Sequence, residues 1–279
     1  MPDIAFVNGV FMPLAQATVS VEDRGFQFAD GVYELLRVYG GVPFHLSEHL
    51  ARLARSANAI DIILPFDTDE WVKVVTQAVE RSGYPEAKVY IQVTRGVAPR
   101  DHTYGAGLAP TVVMTVRPLS PPPDALYTGG ADVVMVSDLR WDRCDIKSIS
   151  LLANVLAKQQ ARNAGAFEAV FVRDGLVLEG ATSNVMAIRE GCLVTPPEGP
   201  LLLSGITRFV VLQLAREAGL SVAERPLTKT DVFRAEEVFL TSTTIEIMPV
   251  VRVDGRRIGE GLPGLTTLDL MARFRKLHV

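Results

Sequence analysis

The sequence predicts a protein of the α+β class that is divided into two domains. Its 279 residues are enough for two domains of ordinary size, and a hydrophobic fraction of 48% allows each a substantial core. Tight-turn dipeptides between short apolar runs mark β-hairpins in both halves of the chain. A proline-rich run near residue 120 separates the halves, because proline lacks the amide donor that helices and sheets use.

The predicted first domain covers residues 1–118 and combines hairpins with two helices. The dipeptides Asn8-Gly9 and Gly40-Gly41 each predict a hairpin turn. Residues 47–60 place apolar side chains on one helical face, and a second helix is predicted from residue 69 to about residue 83, where a glycine ends it. Two further strands are predicted at residues 88–95 and 111–117.

Residues 119–124 are the predicted linker, and residues 125–279 are the predicted second domain. The elements predicted for this domain are a strand at 131–136, a helix at 150–164, hairpins around Asp174-Gly175 and Glu190-Gly191, a helix at 205–218, strands at 237–240 and 250–253, and a helix from residue 265. Small molecules commonly bind where two domains meet, so we expect a binding cleft between these two.

Charge and cysteine content exclude several classes of function. A net charge of -4 and a pI near 5.7 provide no basic surface, so no nucleic-acid partner is expected. No apolar run is long enough to span a bilayer and the first residues lack a signal-peptide pattern, so we expect a cytoplasmic protein without a membrane partner. Cys144 and Cys192 are too few for a disulfide framework and wrongly spaced for zinc, so no metal is expected.

Lys147 is the most informative residue because of the motifs that accompany it. A lysine can form a Schiff base with an aldehyde cofactor, and its freed amine can move a proton between two carbons. Alone, Lys147 would be assigned to the surface, where most lysines lie. Six motifs read, in chain order, DRGFQFADGVYE at residues 23–34, VTRGVAPRDH at 93–102, WDRCDIKS at 141–148, LEGATSNV at 178–185, LSGITR at 203–208 and LTSTTIEI at 240–247.

Together these motifs resemble the D-amino acid transaminases of fold type IV, over nearly the whole chain. The resemblance implies a two-domain α+β fold, with pyridoxal 5′-phosphate in the interdomain cleft and a Schiff base at Lys147. The activity it implies is transamination of D-amino acids such as D-alanine, with 2-oxoglutarate as acceptor, in a ping-pong cycle through the pyridoxamine form. It also implies a homodimer, and leaves open whether Arg100 and His102 serve their own subunit or its partner.

The cofactor would be held by groups from several motifs. Glu179 ends a predicted strand, and a carboxylate there suits the protonated ring nitrogen of pyridoxal phosphate, the role that the resemblance also assigns to it. The helix that opens at Ile206 and Thr207 offers free amides, a positive dipole end and a hydroxyl to the phosphate. Ser242 and Thr243 belong to a hydroxyl-rich run that offers further donors. By resemblance, Thr243 contacts the phosphate and Arg52 supplies the compensating charge.

The substrate carboxylate would be held by Arg100 and His102, which lie on the same side of an extended loop. The resemblance adds Tyr33 to this pair. Glu34 follows Tyr33 and by the two-residue period of a strand faces the other way, so it is left out of the catalytic set. His49 lies three residues before Arg52 on the same helix. Two interpretations of this residue are open: it assists near the phosphate, or it only packs.

Several other activities are open within and outside this fold. A branched-chain L-amino acid transaminase is the nearest alternative, against which Arg100 and His102 argue, and an aminodeoxychorismate lyase is a more distant one. The apolar Ile245, near the expected cleft, leaves bulkier D-amino acids or (R)-amines open as substrates. A non-catalytic homologue that binds pyridoxal phosphate without turnover is the alternative of another class, which Lys147 and Glu179 disfavour.

Overall fold

The chain is described by a computed structural model over residues 3–278, and it divides into two compact units. The first unit consists of Met1–Ser120 and Ile146–Ser150, and the second of Pro121–Asp145 and Leu151–Val279. Both units combine helices with β-sheet, so the predicted two-domain α+β class is confirmed. Residues 1, 2 and 279 lie outside the described residues, and with them the first position of the first predicted domain and the last position of the second.

The first unit contains an antiparallel sheet with two long helices. Its elements are β1 (Ile4–Val7), β2 (Val10–Pro13), α1 (Arg24–Phe28), β3 (Gly31–Tyr39), β4 (Val42–Pro43), α2 (Leu46–Asn58), α3 (Thr68–Ser82), β5 (Ala87–Thr94) and β6 (Thr111–Pro118), with a short 3-10 helix at Leu14–Gln16. Within the described residues the sheet has six strands in the order β2-β1-β6-β5-β3-β4. The two predicted hairpin turns and the two predicted helices are confirmed here.

Helices α2 and α3 form because their sequences combine an apolar face with suitable ends. The side chain of Asp67 accepts a hydrogen bond from the amide of Glu70, and the side chain of Glu70 accepts one from the amide of Asp67. This capping box starts α3. Leu53 of α2 and Val75 of α3 are fully buried in one core with Leu36 and Ile91 of the sheet. The sheet and both helices therefore give β3 and α2 a rigid setting.

A short segment that holds Lys147 belongs to the first unit, although the sequence placed it in the second domain. It lies along the start of β3, where the amide of Tyr33 donates to the carbonyl of Lys147 at 2.9 Å and the amide of Ile149 to the carbonyl of Gly31 at 3.0 Å. Strand β4 pairs only with the far end of β3, which leaves this stretch of edge open to the segment. A local pattern could not show this pairing, because about 115 residues separate its partners along the chain.

The second unit is built around a larger mixed sheet. Its elements are α4 (Asp124–Gly129), β7 (Ala131–Ser137), α5 (Leu152–Asn163), β8 (Glu168–Arg173), β9 (Leu176–Gly180), β10 (Asn184–Arg189), β11 (Cys192–Thr195), α6 (Ile206–Glu217), β12 (Ser221–Glu224), β13 (Leu227–Thr228), α7 (Lys229–Phe233), β14 (Glu237–Ser242), β15 (Glu246–Val253), β16 (Arg256–Arg257) and α8 (Leu265–Arg275). The linker predicted at residues 119–124 overlaps α4 by one residue and otherwise stays a prediction.

The sheet curls so that two strands that are distant in the strand order pair with each other. The order is β12-β11-β10-β14-β15-β7-β8-β9-β13, and β9 also pairs with β10 through Glu179 and Asn184. The six strands from β10 to β9 thus form a closed, barrel-like arrangement, with Glu179 at the point of closure. Over residues 3–278, the helices are all too short or too polar to cross a membrane.

Candidate active site

Lys147 is held by its backbone, while its side chain is partly exposed. Its amide donates to the hydroxyl oxygen of Ser56 on α2 at 3.1 Å, and its carbonyl accepts from Tyr33. The approach to β3 is close, because a Cβ on Gly31 would lie 3.1 Å from Cδ1 of Ile149 in the lysine segment, and 2.7 Å from the carbonyl oxygen of Val93 on β5. A glycine at position 31 therefore lets the strand and the lysine segment pack together.

The side chain of Lys147 lies over an aromatic ring. Its Nζ is 4.3 Å from the centre of the Tyr33 ring, which is within the range of a cation–π contact. The Tyr33 ring is in turn 5.7 Å from that of Tyr90, whose hydroxyl donates to Oε1 of Gln92. Burial, together with the nearby Tyr33 hydroxyl, raises the pKa of Tyr90 to about 12, so Tyr90 stays a neutral donor.

Arg52 is fixed by a buried carboxylate from the neighbouring strand. Its Nε donates to Oε1 of Glu34 at 2.7 Å and its second terminal nitrogen donates to Oε2 at 2.9 Å. Nδ1 of His49 lies 2.7 Å from the same Oε2. All three side chains are buried, and Glu34 faces α2 as the strand period predicts. The two-point geometry aims the guanidinium more tightly than a single hydrogen bond would.

The charges of this cluster follow from its contacts. Burial alone would raise the pKa of Glu34, but the charge and hydrogen bonds of Arg52, with the hydrogen bond of His49, lower it to about 2. Burial lowers the pKa of His49 below its ordinary value, against the opposing effect of Glu34. At neutral pH the cluster therefore contains one anion, one cation and a neutral imidazole.

Arg100 and His102 come together around one phenylalanine, Phe28 of α1. The guanidinium carbon of Arg100 is 4.5 Å from the centre of the Phe28 ring, and the His102 ring is 5.4 Å from it. Arg100 also donates to the carbonyl of Gln27 at 3.3 Å. Both side chains are exposed, so their remaining donors face solvent. The described contacts of Tyr33 are with Lys147 and Tyr90, and its predicted place beside this pair stays a prediction.

In the second unit, Glu179 is buried among donors. Its Oε1 accepts from the guanidinium of Arg140, and its Oε2 accepts from the backbone amide of Leu203 at 3.0 Å and from the side-chain amide of Asn184 at 3.2 Å. Every donor favours the ionised carboxylate. The arrangement suits a carboxylate that must remain an anion beside a cation.

Arg140 is itself supported by further charges. It donates to Asp138 through its Nε at 2.9 Å and through a terminal nitrogen at 3.1 Å, and it lies 4.1 Å from the Phe171 ring centre. Arg173 contacts the same Asp138 at 3.0 Å. Burial acts to lower the pKa of Arg140, but Asp138 and Glu179 outweigh it and raise that pKa. Arg140 and Asp138 are site residues that the sequence did not predict, because their only signal is a charged pair two residues apart just before the Lys147 motif.

Helix α6 begins as an anion-binding helix start would. Ile206 and Thr207 are its first two residues and are buried, and the amides of a first helical turn lack partners within the helix. A Cβ on Gly205 would lie 2.0 Å from Oδ1 of Asn184, so only glycine fits before the helix. Because Asn184 also contacts Glu179, one side chain links the helix start to the buried carboxylate.

The hydroxyl-rich run lies where β14 ends. Ser242 is its last residue, Thr243 follows in the turn to β15, and both are half-buried. Thr241 pairs across the sheet with Asn184, so the two side chains lie on the same face. Among the described residues, the buried hydroxyls of Thr241 and Ser183 have no hydrogen-bond partner, which is unusual unless a bound group or water supplies one.

The features of the second unit, which are buried hydroxyls, a helix start and a buried carboxylate, fit a phosphorylated, flat, cationic cofactor. The first unit contains an amine and an arginine that is held by a carboxylate. Cys144 is not part of this chemistry, because burial raises the pKa of its thiol to about 11.

Comparison with known proteins identifies the class. Residues 31–253 match the family "Amino-transferase class IV". The chain is 46% identical to the D-alanine aminotransferase of Bacillus licheniformis over 268 residues, which cover 96% of this chain and 94% of that protein. It also resembles the branched-chain amino acid aminotransferase of Escherichia coli, with a TM-score of 0.94 and 26% identity over 100% of this chain and 95% of the other.

A second solved structure, the branched-chain aminotransferase of the archaeon Thermoproteus uzoniensis with norvaline, has a TM-score of 0.89 and 26% identity, covering 98% of this chain and 94% of that one. The chain therefore belongs to the class IV aminotransferases, and the predicted family is confirmed. It is a pyridoxal-phosphate-dependent aminotransferase, since enzymes of this family use pyridoxal 5′-phosphate. The roles predicted for individual site residues stay predictions.

Proposed function

We propose that the protein is a D-amino acid transaminase that takes a D-alanine-like donor and uses 2-oxoglutarate as acceptor in two half-reactions. The observation that carries this proposal is the placement of Arg100 and His102 together against Phe28, with donors that face solvent. A guanidinium beside an imidazole suits an amino acid carboxylate. The 46% identity to a D-alanine aminotransferase supports the D configuration.

Several residues hold the cofactor in this proposal. Glu179 keeps a proton on the ring nitrogen, and Arg140 and Asn184 hold Glu179 for that task. Ile206 and Thr207 bind the phosphate with amides and a hydroxyl, and Ser242 and Thr243 add hydroxyl donors. Arg52, aimed by Glu34, balances the phosphate charge.

Lys147 is the catalytic base and acid. Pyridoxal phosphate, when bound, supplies an aldehyde for the amino group and a ring that withdraws electrons from Cα. Lys147 Nζ removes the proton from Cα of the donor and delivers a proton to the carbon on the other side of the donor nitrogen. The Tyr33 ring, 4.3 Å from Nζ, guides the amine, and the locked backbone of Lys147 keeps proton transfer on one face.

Side-by-side kinetics test the substrate assignment. The purified enzyme is assayed with D-alanine and with L-leucine, each with 2-oxoglutarate, and kcat/KM is compared. We expect a ratio of at least about 10²-fold in favour of D-alanine, since D- and L-amino acids have opposite configurations at Cα and present different groups to one fixed base. Equal or reversed ratios would contradict the proposal.

A branched-chain L-amino acid transaminase is the second candidate, favoured by the TM-score of 0.94 to the Escherichia coli enzyme. The same pair of assays decides between them. Adding an aromatic D-amino acid and an (R)-amine to the panel tests the effect of the apolar Ile245, which is buried. A protein that binds the cofactor but turns over none of these substrates would support the non-catalytic alternative.

We also propose that the protein is a homodimer. On α5, three exposed apolar side chains support this, with 72% of Leu152 and 60% each of Val155 and Leu156 accessible. Spacings of three and four residues place them on one side of a helix, and apolar patches of this kind commonly pack against another protein surface. Light scattering on the protein eluted from a size-exclusion column measures its molar mass. The mass of a monomer at micromolar concentration would contradict the proposal.

A further inference from the structure

The connection between β5 and β6 carries Arg100 and His102 on a segment without helix or strand. From Arg100 to Tyr104 every residue is exposed. Such a segment has no continuous ladder of hydrogen bonds to fix its path, so its carbonyl groups need donors from elsewhere. The two side chains can meet one carboxylate only if something holds this backbone still.

Arg24, the first residue of α1, supplies those donors. Its two terminal nitrogens donate to the carbonyl oxygens of three consecutive residues, at 2.6 Å to Asp101, 3.3 Å to His102 and 3.2 Å to Thr103. The Arg24 side chain is only 4% exposed. A planar guanidinium has five N–H groups in a fixed fork, so it can bind several carbonyl groups at once in a way that an ammonium cannot.

A half-buried carboxylate, that of Asp30, holds Arg24 in place. Its Nε donates to Asp30 at 2.9 Å, and Arg95 contacts both oxygens of the same carboxylate, at 2.8 and 2.9 Å. Burial acts to raise the pKa of Asp30, but Arg95 and Arg24 outweigh it and lower that pKa. Arg95 donates in addition to the carbonyls of Ile60 and Asp61, so the two arginines share one anchor but bind different stretches of backbone.

Phe28 joins the backbone contact to the functional side chains. Its ring centre lies 4.9 Å from the guanidinium carbon of Arg24 and 4.5 Å from that of Arg100, and 5.4 Å from the His102 ring. Arg24 thus contacts the main chain of the loop and also the ring on which both side chains rest. A shift of Arg24 would change both supports together.

We propose that Arg24 is a positioning residue for substrate recognition, which fixes the backbone at residues 101–103 so that Arg100 and His102 meet a substrate carboxylate together. This rests on the proposed function in one respect, that Arg100 and His102 bind that carboxylate. Arg24 itself touches no substrate. Its loss weakens recognition of carboxylate-bearing molecules and leaves the reactivity of the bound cofactor unchanged.

The test compares two aminooxy compounds on the holoenzyme. Methoxyamine and aminooxyacetate would both add to the imine carbon that joins the cofactor to Lys147, forming an oxime and releasing the Lys147 amine, but only aminooxyacetate carries a carboxylate. Loss of the visible absorbance of the cofactor gives a second-order rate constant for each compound. The ratio of the two constants isolates carboxylate recognition, whereas general damage to the site changes both constants alike.

For Arg24→Lys we expect the aminooxyacetate to methoxyamine ratio to fall by about 10-fold, with the methoxyamine constant within about 2-fold of wild type. Arg95→Lys is the matched control, since it disturbs the same Asp30 and the Tyr104 ring, 3.7 Å from the Arg95 guanidinium carbon, but no carbonyl of residues 101–103. Its ratio should stay near wild type. A wild-type ratio for Arg24→Lys, or an equal fall for Arg95→Lys, would overturn the proposal.

Arg100→Ala separates this inference from the proposed function. If Arg100→Ala keeps the wild-type ratio, the carboxylate role of Arg100 fails, and the present proposal fails with it. If Arg100→Ala lowers the ratio and Arg24→Lys does not, only the positioning role of Arg24 fails. Should Arg24→Lys not fold, Asp30→Asn weakens the anchor of the same guanidinium and should lower the ratio, and an unchanged ratio there would overturn the proposal.

Discussion

Two buried pairs of arginine and carboxylate, one in each unit, have the same chemistry but opposite proposed tasks. In the first unit Glu34 holds Arg52, whose charge is proposed to balance that of a phosphate. In the second unit Arg140 holds Glu179, whose charge is proposed to stabilise a protonated ring nitrogen. In each pair one partner orients the other, so an ion pair alone does not reveal which residue acts on the ligand.

The surroundings of the two pairs differ accordingly. The pair of Glu34 and Arg52 includes a neutral histidine, and the carboxylate is fully buried. The pair of Glu179 and Arg140 is backed by Asp138 and Arg173, which extend it into a chain of alternating charges. In the proposed assignment, Glu34 and Arg140 are the supporting residues, and Arg52 and Glu179 act on the ligand. Substitutions on both sides of each pair can test this difference.

Loss of Lys147 should have the largest effect, since neither pair can act without the base. For Lys147→Ala we expect turnover to fall by at least about 10⁴-fold and the visible absorbance of the lysine-bound cofactor to disappear. Assay and spectrum are recorded on the same preparation. Lys158→Ala, which changes a lysine whose Nζ contacts Glu168, is the control and should keep both signals. An active alanine variant at position 147 would refute the mechanism.

Glu179→Gln should have the next largest effect and should act mainly on kcat. The neutral amide cannot keep a proton on the ring nitrogen, and it leaves the charge of Arg140 beside that nitrogen, so we expect a fall of about 10²- to 10³-fold. Steady-state kinetics with saturating cofactor measure it. A variant with unchanged kcat but weaker cofactor binding would show that Glu179 is a support, as Glu34 is proposed to be.

Glu34→Gln should act on cofactor affinity, and by less. With the ionised partner gone, Arg52 is held less firmly, and we expect the dissociation constant for pyridoxal phosphate to rise by about 10-fold, equivalent to about 1.4 kcal/mol. Titration of the apoenzyme with cofactor measures the constant, while kcat at saturation should change little. A large fall in kcat without a change in affinity would reverse the comparison of the two pairs.

Acid should destabilise the protein partly through the same glutamate. Since the pKa of Glu34 is about 2 in the fold and 4.5 ordinarily, its contribution to stability is complete above pH 4.5 and is lost as the pH falls towards 2. The lowered pKa of His49 acts in the same direction below its ordinary value of 6.5. Urea unfolding measures the free energy of unfolding at each pH. Between pH 4.5 and 3, this free energy should fall by about 1 kcal/mol less per pH unit for Glu34→Gln than for wild type. Equal slopes of the unfolding free energy against pH for the two proteins would contradict this assignment.

The smallest effect is expected at Cys144. Its pKa of about 11 and its burial leave little thiolate at neutral pH, so alkylation should be slow. Mass spectrometry after exposure to iodoacetamide should find Cys192, which is half-buried, modified first. Activity should persist while Cys144 stays unmodified. Rapid loss of activity with label on Cys144 would show that the region next to Lys147 opens.

Much of the secondary structure was predictable because its signals are local. The turn at Asn8-Gly9 and the helix that ends at Gly83 depend on residues within a few positions of each other. Helices α1 and α4 were not predicted, since five or six residues are too few for a periodic apolar face. Short elements of this kind form because their neighbours hold them.

The site was predictable in its reactive residues but not in their partners. Lys147 and Glu179 stand in motifs whose chemistry is visible in the sequence. The contact of Arg140 with Glu179 joins residues 39 positions apart, and that of Arg24 with the loop at 101–103 joins residues almost 80 apart. No local pattern encodes such pairs, because chain path and strand pairing decide them.

By itself the sequence indicated the class of fold through residue patterns at short spacings, and its resemblance to a family indicated the cofactor, while the roles of the side chains proposed to react stay predictions. The tertiary structure decided that the Lys147 segment lies against β3, that Glu34 serves Arg52 and that Arg140 serves Glu179. The physical reason is that hydrogen bonds between distant segments form only after the core has fixed both backbones. Partnership of buried charges is therefore a property of the folded chain.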